Sequence, residues 1–112
     1  PAAGYLEMRA LFPGIRNEHQ EVRSPEDVYR VVPKEVVEEA IRIDRGNLLR
    51  QRELQRRFLG KKISQEDFDR ELDVLREETE AKMRAVLSEY QLSFLFGEIG
   101  AFGSDPGGRD NQ

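Results

Sequence analysis

The feature that most constrains the fold is a single apolar stripe in the second half of the chain. Its members recur every three or four positions, and they are Phe68, Leu72, Leu75, Thr79, Met83, Val86 and Tyr90. This spacing places side chains on one narrow face of an α-helix, close to a coiled-coil seam. Ser64, which precedes a run of acidic residues, is a suitable N-cap. The pattern predicts a long helix from about residue 65 to residue 94.

A second long helix is predicted upstream, over residues 33–59. Pro33 suits its first turn, and Gly60 follows an Arg-rich last turn as a stop. Between them lies an apolar face that comprises Val36, Val37, Ala40, Ile41, Leu48, Leu49, Leu54, Phe58 and Leu59. Because only a short connector separates the two helices, they are expected to lie antiparallel. The predicted fold class is therefore all-α, a helical hairpin.

The sequence divides into three zones around this hairpin. Residues 1–23 form an N-terminal arm with a short amphipathic stretch that Pro13 and Gly14 end. Residues 24–96 form the hairpin domain, which opens with a short helix capped by Ser24. Residues 97–112 are rich in Gly and polar residues and are predicted to be a flexible, disordered tail.

Charge is distributed unevenly between the two predicted helices. Residues 42–62 carry eight basic and two acidic side chains, and residues 66–80 carry eight acidic and two basic side chains. An isolated basic helix would favour nucleic acid. In an antiparallel hairpin, however, the acidic segment lies beside the basic one, and the whole chain carries a net charge of −4. The charges therefore favour the hairpin register and argue against nucleic-acid binding.

The residue types present exclude much chemistry. The chain has no Cys, so it has neither a disulfide nor a thiolate nucleophile. A weak metal site can be drawn from His19 with Glu18 and Glu21, but an exposed His in a polar connector is the favoured interpretation. Phosphate-binding loops, nucleophile elbows and zinc-protease motifs are missing. We expect no enzyme activity, no cofactor, no metal and, without a run of 18 apolar residues, no membrane span.

The chain has more apolar side chains than a two-helix hairpin can bury. Either the arm and the tail fold back on the hairpin, or these side chains contact protein: a second copy, a client or a larger assembly. The candidate partner-binding residues are Tyr5, Met8, Leu11, Phe12, Val37, Ile41, Leu48, Leu92, Phe94, Leu95, Phe96 and Phe102.

A short motif near the end of the second helix resembles a known family. Leu87-Ser88-Glu89-Tyr90-Gln91 is similar to the LTxxQ signature of the Spy/CpxP-like periplasmic family, with Ser88 in place of Thr. Residues 60–72 and 82–87 resemble the long helices that lead into that signature. Residues 32–36 take the place of a first motif but lack its Thr and Gln. The resemblance covers residues 33–91.

The resemblance implies an all-helical periplasmic protein, often a curved antiparallel dimer. Such proteins act as ATP-independent chaperones or as stress or metal-resistance sensors. The motif would serve helix-end structure, so Leu87, Ser88 and Gln91, together with the Ser64 cap, would lock the hairpin. The metal-sensing branch uses His and Met ligands, and this chain offers only His19, Met8 and Met83.

The function predicted from the sequence is that of a non-enzymatic protein-interaction module, a periplasmic ATP-independent chaperone or stress-response protein. We expect a homodimer or a complex subunit. The Pro1 start is compatible with signal-peptide removal. The alternative is a structural accessory subunit that docks into a larger assembly through its N-terminal arm and the aromatic segment 94–102.

Overall fold

A computed structural model describes residues 4–15 and 22–97 of the chain. In chain order the elements are β1 (Leu6–Glu7), α1 (Met8–Leu11), β2 (Val22–Arg23), α2 (Pro25–Val31), α3 (Lys34–Leu59), α4 (Gln65–Val86) and α5 (Glu89–Phe96). The two short strands pair antiparallel, with Leu6 opposite Arg23. The long helices α3 and α4 pack against each other. The predicted all-α helical hairpin is therefore confirmed, and the predicted tail lies outside the described residues, apart from Gly97.

Side-chain caps determine where the helices begin. The Ser24 hydroxyl accepts the Asp27 N–H at 3.1 Å, and Pro25 occupies the first position of α2. The Ser64 hydroxyl accepts the Asp67 N–H at 3.0 Å at the start of α4. These bonds satisfy amide donors that have no partner within the helix.

The second long helix is shorter than its apolar stripe predicts. It ends at Val86 instead of residue 94, because Leu87 and Ser88 are extended and a separate helix, α5, starts at Glu89. Ser88 and Gln91 form a capping box, in which each side chain bonds the other residue's backbone N–H. Such a pair offers the backbone an alternative to continued helix. Tyr90, the last residue of the predicted stripe, is consequently exposed.

The first long helix ends before Gly60, as predicted, and Gly60 is its C-cap. The residue with left-handed backbone is Lys61, with φ of 60°, while Gly60 has φ of −82°. The Lys62 N–H donates to the Arg57 carbonyl at 2.8 Å, which is the bond of a Schellman motif. A Cβ atom on Gly60 would lie 3.2 Å from the Arg56 carbonyl oxygen, so Gly60 permits a close approach of the backbone.

The hydrophobic core lies at the open end of the hairpin, which we call the base. Rings of Phe12 and Phe96 meet there edge to face, with centroids 4.9 Å apart. The described part of the N-terminal arm and α5 therefore fold back on the hairpin. The buried core residues are Met8, Phe12, Ile15, Val28, Val32, Val37, Ala40, Met83, Leu87, Leu92, Leu95 and Phe96.

The rest of α3 and α4 extends away from the base as a two-helix unit. We call residues 50–78 the distal hairpin. It includes no buried residue of the base core. Leu54 and Leu75 are buried between its helices, and the rings of Phe58 and Phe68 stack at 4.8 Å. Of the helices described, none combines the length and the apolar character that crossing a bilayer requires.

Candidate protein interaction site

Opposite charges meet across the distal hairpin. Arg50 pairs with Glu78 at 2.9 Å, and Arg57 pairs with Glu71 at 3.4 Å. All four side chains are roughly half exposed, so each pair stabilises the fold by only about 0.2–1 kcal/mol. The pairs select the antiparallel register and fix the charged side chains above the seam.

A groove of about 330 Å³ lies between the helices of the distal hairpin. Leu54, Val74 and Leu75 supply its apolar lining, and 46% of Val74 is exposed. The remaining lining residues are charged, and they are Arg50, Glu53, Arg57, Arg70 and Glu71. The site is thus a groove in which Val74 is the accessible apolar side chain, Leu54 and Leu75 form the buried floor, and side chains of both signs form the border.

The groove continues towards the base as a second hollow of about 300 Å³. Arg50 and Leu75 line both hollows, so the two hollows adjoin along one side of the α3–α4 pair. We call the two hollows together the furrow. Gly46 lies in this second part, and no atom lies within 4 Å of the place where its Cβ would be. The residues that line the second hollow are Glu39, Arg42, Ile43, Gly46, Asn47, Arg50, Leu75, Thr79 and Lys82.

Most of the partner-binding residues predicted from the sequence lie in or beside the base core. Met8, Phe12, Val37, Leu92, Leu95 and Phe96 are buried, whereas Leu11, Ile41, Leu48 and Phe94 are half-buried. Tyr5 is exposed. Phe102 lies outside the described residues, and so does His19 with Glu18 and Glu21. In this fold the buried members contact other parts of the same chain, and an external protein could reach them only if the base opened.

The motif residues lie at helix ends. Beyond its capping box with Ser88, the Gln91 side chain donates from Nε2 to the Val31 carbonyl at 3.0 Å. This bond joins the first turn of α5 to the last residue of α2. Leu87, between α4 and α5, is buried in the base core. The motif therefore places α5 against the base.

A polar cluster that sequence reasoning missed fastens the N-terminal arm to α3. The Asp44 carboxylate accepts the Gly14 N–H on Oδ2 at 3.1 Å. The Gly14 carbonyl accepts hydrogen bonds from Asn47 Nδ2 at 2.9 Å and Gln51 Nε2 at 2.8 Å. Burial raises the pKa of Asp44 to about 6, and the bond from Gly14 opposes part of that rise.

One sequence signal could have identified this cluster. Its three side chains continue the 3-4 spacing of the inward face of α3, which runs through Val37, Ala40, Asp44, Asn47, Gln51, Leu54 and Phe58. The apolar residues alone defined the predicted face of this helix, and Asp44 entered the prediction only as an acid within the basic segment. Polar residues at seam positions of a helix indicate a buried polar contact.

Comparison with known proteins yields no relative: no family model, no curated protein and no solved structure matches the chain. The Spy/CpxP-like resemblance therefore stays a prediction that rests on its motif. Within residues 4–15 and 22–97, the acidic side chains form no cluster of three or more that could hold a metal ion.

Proposed function

We propose that this chain is a non-enzymatic protein-interaction module that binds unfolded polypeptide segments along the furrow of its distal hairpin. The observation that carries the proposal is the half-exposed Val74, which lies over the buried Leu54 and Leu75 in the groove with charged side chains around it. Burial of one further aliphatic side chain in such a site provides about 1.5–3 kcal/mol. Contacts of this size support reversible binding.

The charges around the furrow favour an unfolded client over a partner of one defined charge. Arg50, Arg57 and Arg70 stand beside Glu53 and Glu71, so the border holds neither sign in large excess. Specific interfaces discriminate by repelling the wrong charge. A border of mixed sign repels few sequences strongly, which suits a surface that meets clients of varied composition.

An ATP-independent chaperone or stress-response protein is the specific activity that we propose, in agreement with the Spy/CpxP-like resemblance. Periplasmic localisation and a homodimeric state belong to the same proposal. The accessory-subunit alternative relies on the N-terminal arm and on residues 94–102. It has less support, because Phe12, Leu95 and Phe96 are buried in the base core.

A light-scattering assay tests the proposal. A reduced or heated client protein aggregates alone, and we expect an excess of this chain to suppress its aggregation without ATP. Val74→Glu places a charge in the apolar lining and should weaken client binding about tenfold, through the loss of 1–2 kcal/mol of apolar contact. Val74 is partly exposed, so the hairpin should still fold.

Leu59→Glu is the matched control. Leu59 is 77% exposed at the end of α3, and it is not part of the furrow lining. We expect this variant to suppress aggregation like the original chain. If the original chain at excess leaves aggregation unchanged, the chaperone proposal fails. If the two variants lose activity equally, the furrow is not the binding surface.

A further inference from the structure

The turn at Gly14 fits closely against α3. A Cβ atom at this position would lie 2.7 Å from Asp44 Oδ1, which would force the carboxylate to move, and 3.2 Å from Asn47 Nδ2, which is a tight contact. Only glycine permits this approach. The three hydrogen bonds that the Gly14 backbone makes to Asp44, Asn47 and Gln51 therefore form one compact contact between the N-terminal arm and α3.

Two oxygen atoms in this contact lack a hydrogen-bond donor. Asp44 is fully buried, and Asp44 Oδ1 and Asn47 Oδ1 have no hydrogen-bond partner among the described residues. Both of these oxygen atoms can only accept hydrogen bonds while Asp44 is ionised. A proton on Asp44 Oδ1 creates one donor in a cluster that holds an unused acceptor, the Asn47 Oδ1 atom. Protonation of Asp44 thus removes a buried negative charge and supplies the donor that the cluster lacks.

We propose that the contact between Gly14 and Asp44 is a proton-dependent latch, which holds the N-terminal arm on the base when Asp44 is neutral and loosens when Asp44 is ionised. Release of the arm would separate Phe12 from Phe96 and expose apolar surface of the base. Asn47 also lines the second hollow of the furrow, but the latch does not depend on client binding there.

The direction of the pH dependence follows from the pKa of Asp44. Burial raises this pKa from 3.8 to about 6 in the docked state, and release of the arm returns the carboxyl to water. Between these two pH values the docked state binds more protons than the released state, so docking weakens as pH rises through this window. The full change in the docking equilibrium is about 100-fold, and it is complete above about pH 6–7.

The charged groups around Asp44 leave this direction unchanged. On the arm side, Pro13, Gly14 and Ile15 carry no ionisable side chain. The ionisable side chains that line the furrow beside Asn47 are Glu39, Arg42, Arg50 and Lys82. Arg42 pairs with Glu39 and Arg50 pairs with Glu78, and no described residue forms an ion pair with Asp44.

Nuclear magnetic resonance on the full chain tests the latch at two levels. The Gly14 amide shift reports the ionisation of its acceptor, and we expect its titration midpoint near pH 6. A midpoint near 4 would overturn the inference. The Phe12 and Ile15 amides should be protected from hydrogen exchange, corrected for intrinsic rates, about 50-fold less at pH 7 than at pH 4. Equal protection at both pH values would also overturn it.

Asp44→Asn is the informative variant, because its amide can accept from the Gly14 N–H and carries no charge at any pH. We expect it to protect the arm amides at pH 7 as well as the original chain does at pH 4. Asp73→Asn, at an exposed carboxylate on α4, is the matched control and should keep the original pH dependence. If the protection of the arm amides still depends on pH in Asp44→Asn, the latch is contradicted.

Discussion

The base and the distal hairpin share the same two helices, yet they are stabilised differently. In the base, the N-terminal arm, α2 and α5 cover α3 and α4 and create a core in which Phe12, Met83 and Phe96 are fully or almost fully buried. In the distal hairpin, the helices rely on a narrow seam at Leu54 and Leu75 and on exposed ion pairs. We therefore expect stability to be concentrated in the base, which leaves the distal hairpin free to present an apolar surface.

Two phenylalanines provide the largest contrast between these regions. Phe96 is 1% exposed in the base, while Phe58 is half-buried in the distal hairpin and stacks on Phe68. We expect Phe96→Ala to lower the free energy of unfolding by about 3–5 kcal/mol, because it leaves a cavity in a closed core. Phe58→Ala should cost less than about 2 kcal/mol, since part of that ring already faces water.

Urea unfolding followed by far-ultraviolet circular dichroism measures both losses. The comparison would fail if Phe58→Ala destabilised the chain as much as Phe96→Ala does. That result would place a substantial share of the stability in the distal hairpin.

Two glycines contrast the tight contact of the N-terminal arm in the base with the open second hollow of the furrow, and the expected effects are smaller. Gly14→Ala forces a Cβ atom to within 2.7 Å of Asp44 Oδ1, and we expect a loss of about 1–3 kcal/mol. Gly46→Ala adds its methyl group to open space inside α3 and should stabilise the chain by about 0.5–1 kcal/mol. Thermal unfolding of both variants measures whether each substitution lowers or raises the stability. A neutral Gly14→Ala would show that the arm does not dock closely on α3.

The hairpin could be predicted from the sequence because its signals agree with one another. The stripe from Phe68 to Met83, the Ser64 cap and the opposite charges of the two segments all indicate two antiparallel helices. Local and periodic signals of this kind are enough to predict that a helix is present. The break at Ser88 was harder to predict, because the apolar spacing continues across it and only the Ser88–Gln91 capping pair marks it.

The sequence predicts what kind of surface the candidate site is, but not where the site lies. An apolar surface with charged borders follows from composition and charge, but its position depends on which apolar residues are buried in the base. Phe12 and Phe96 lie far apart in the sequence, and their contact follows from the way the arm and α5 fold back. The cluster at Asp44 likewise needs Gly14, thirty residues upstream, to become visible as a site.

The most direct test of the account is hydrogen exchange of the chain with and without an unfolded client polypeptide. We predict that the client slows exchange along the furrow, most strongly within residues 50–57 and 70–75, and leaves the amides of the N-terminal arm and α5 unchanged. Slower exchange confined to the N-terminal arm and α5 would contradict the account, because it would place the binding surface in the base.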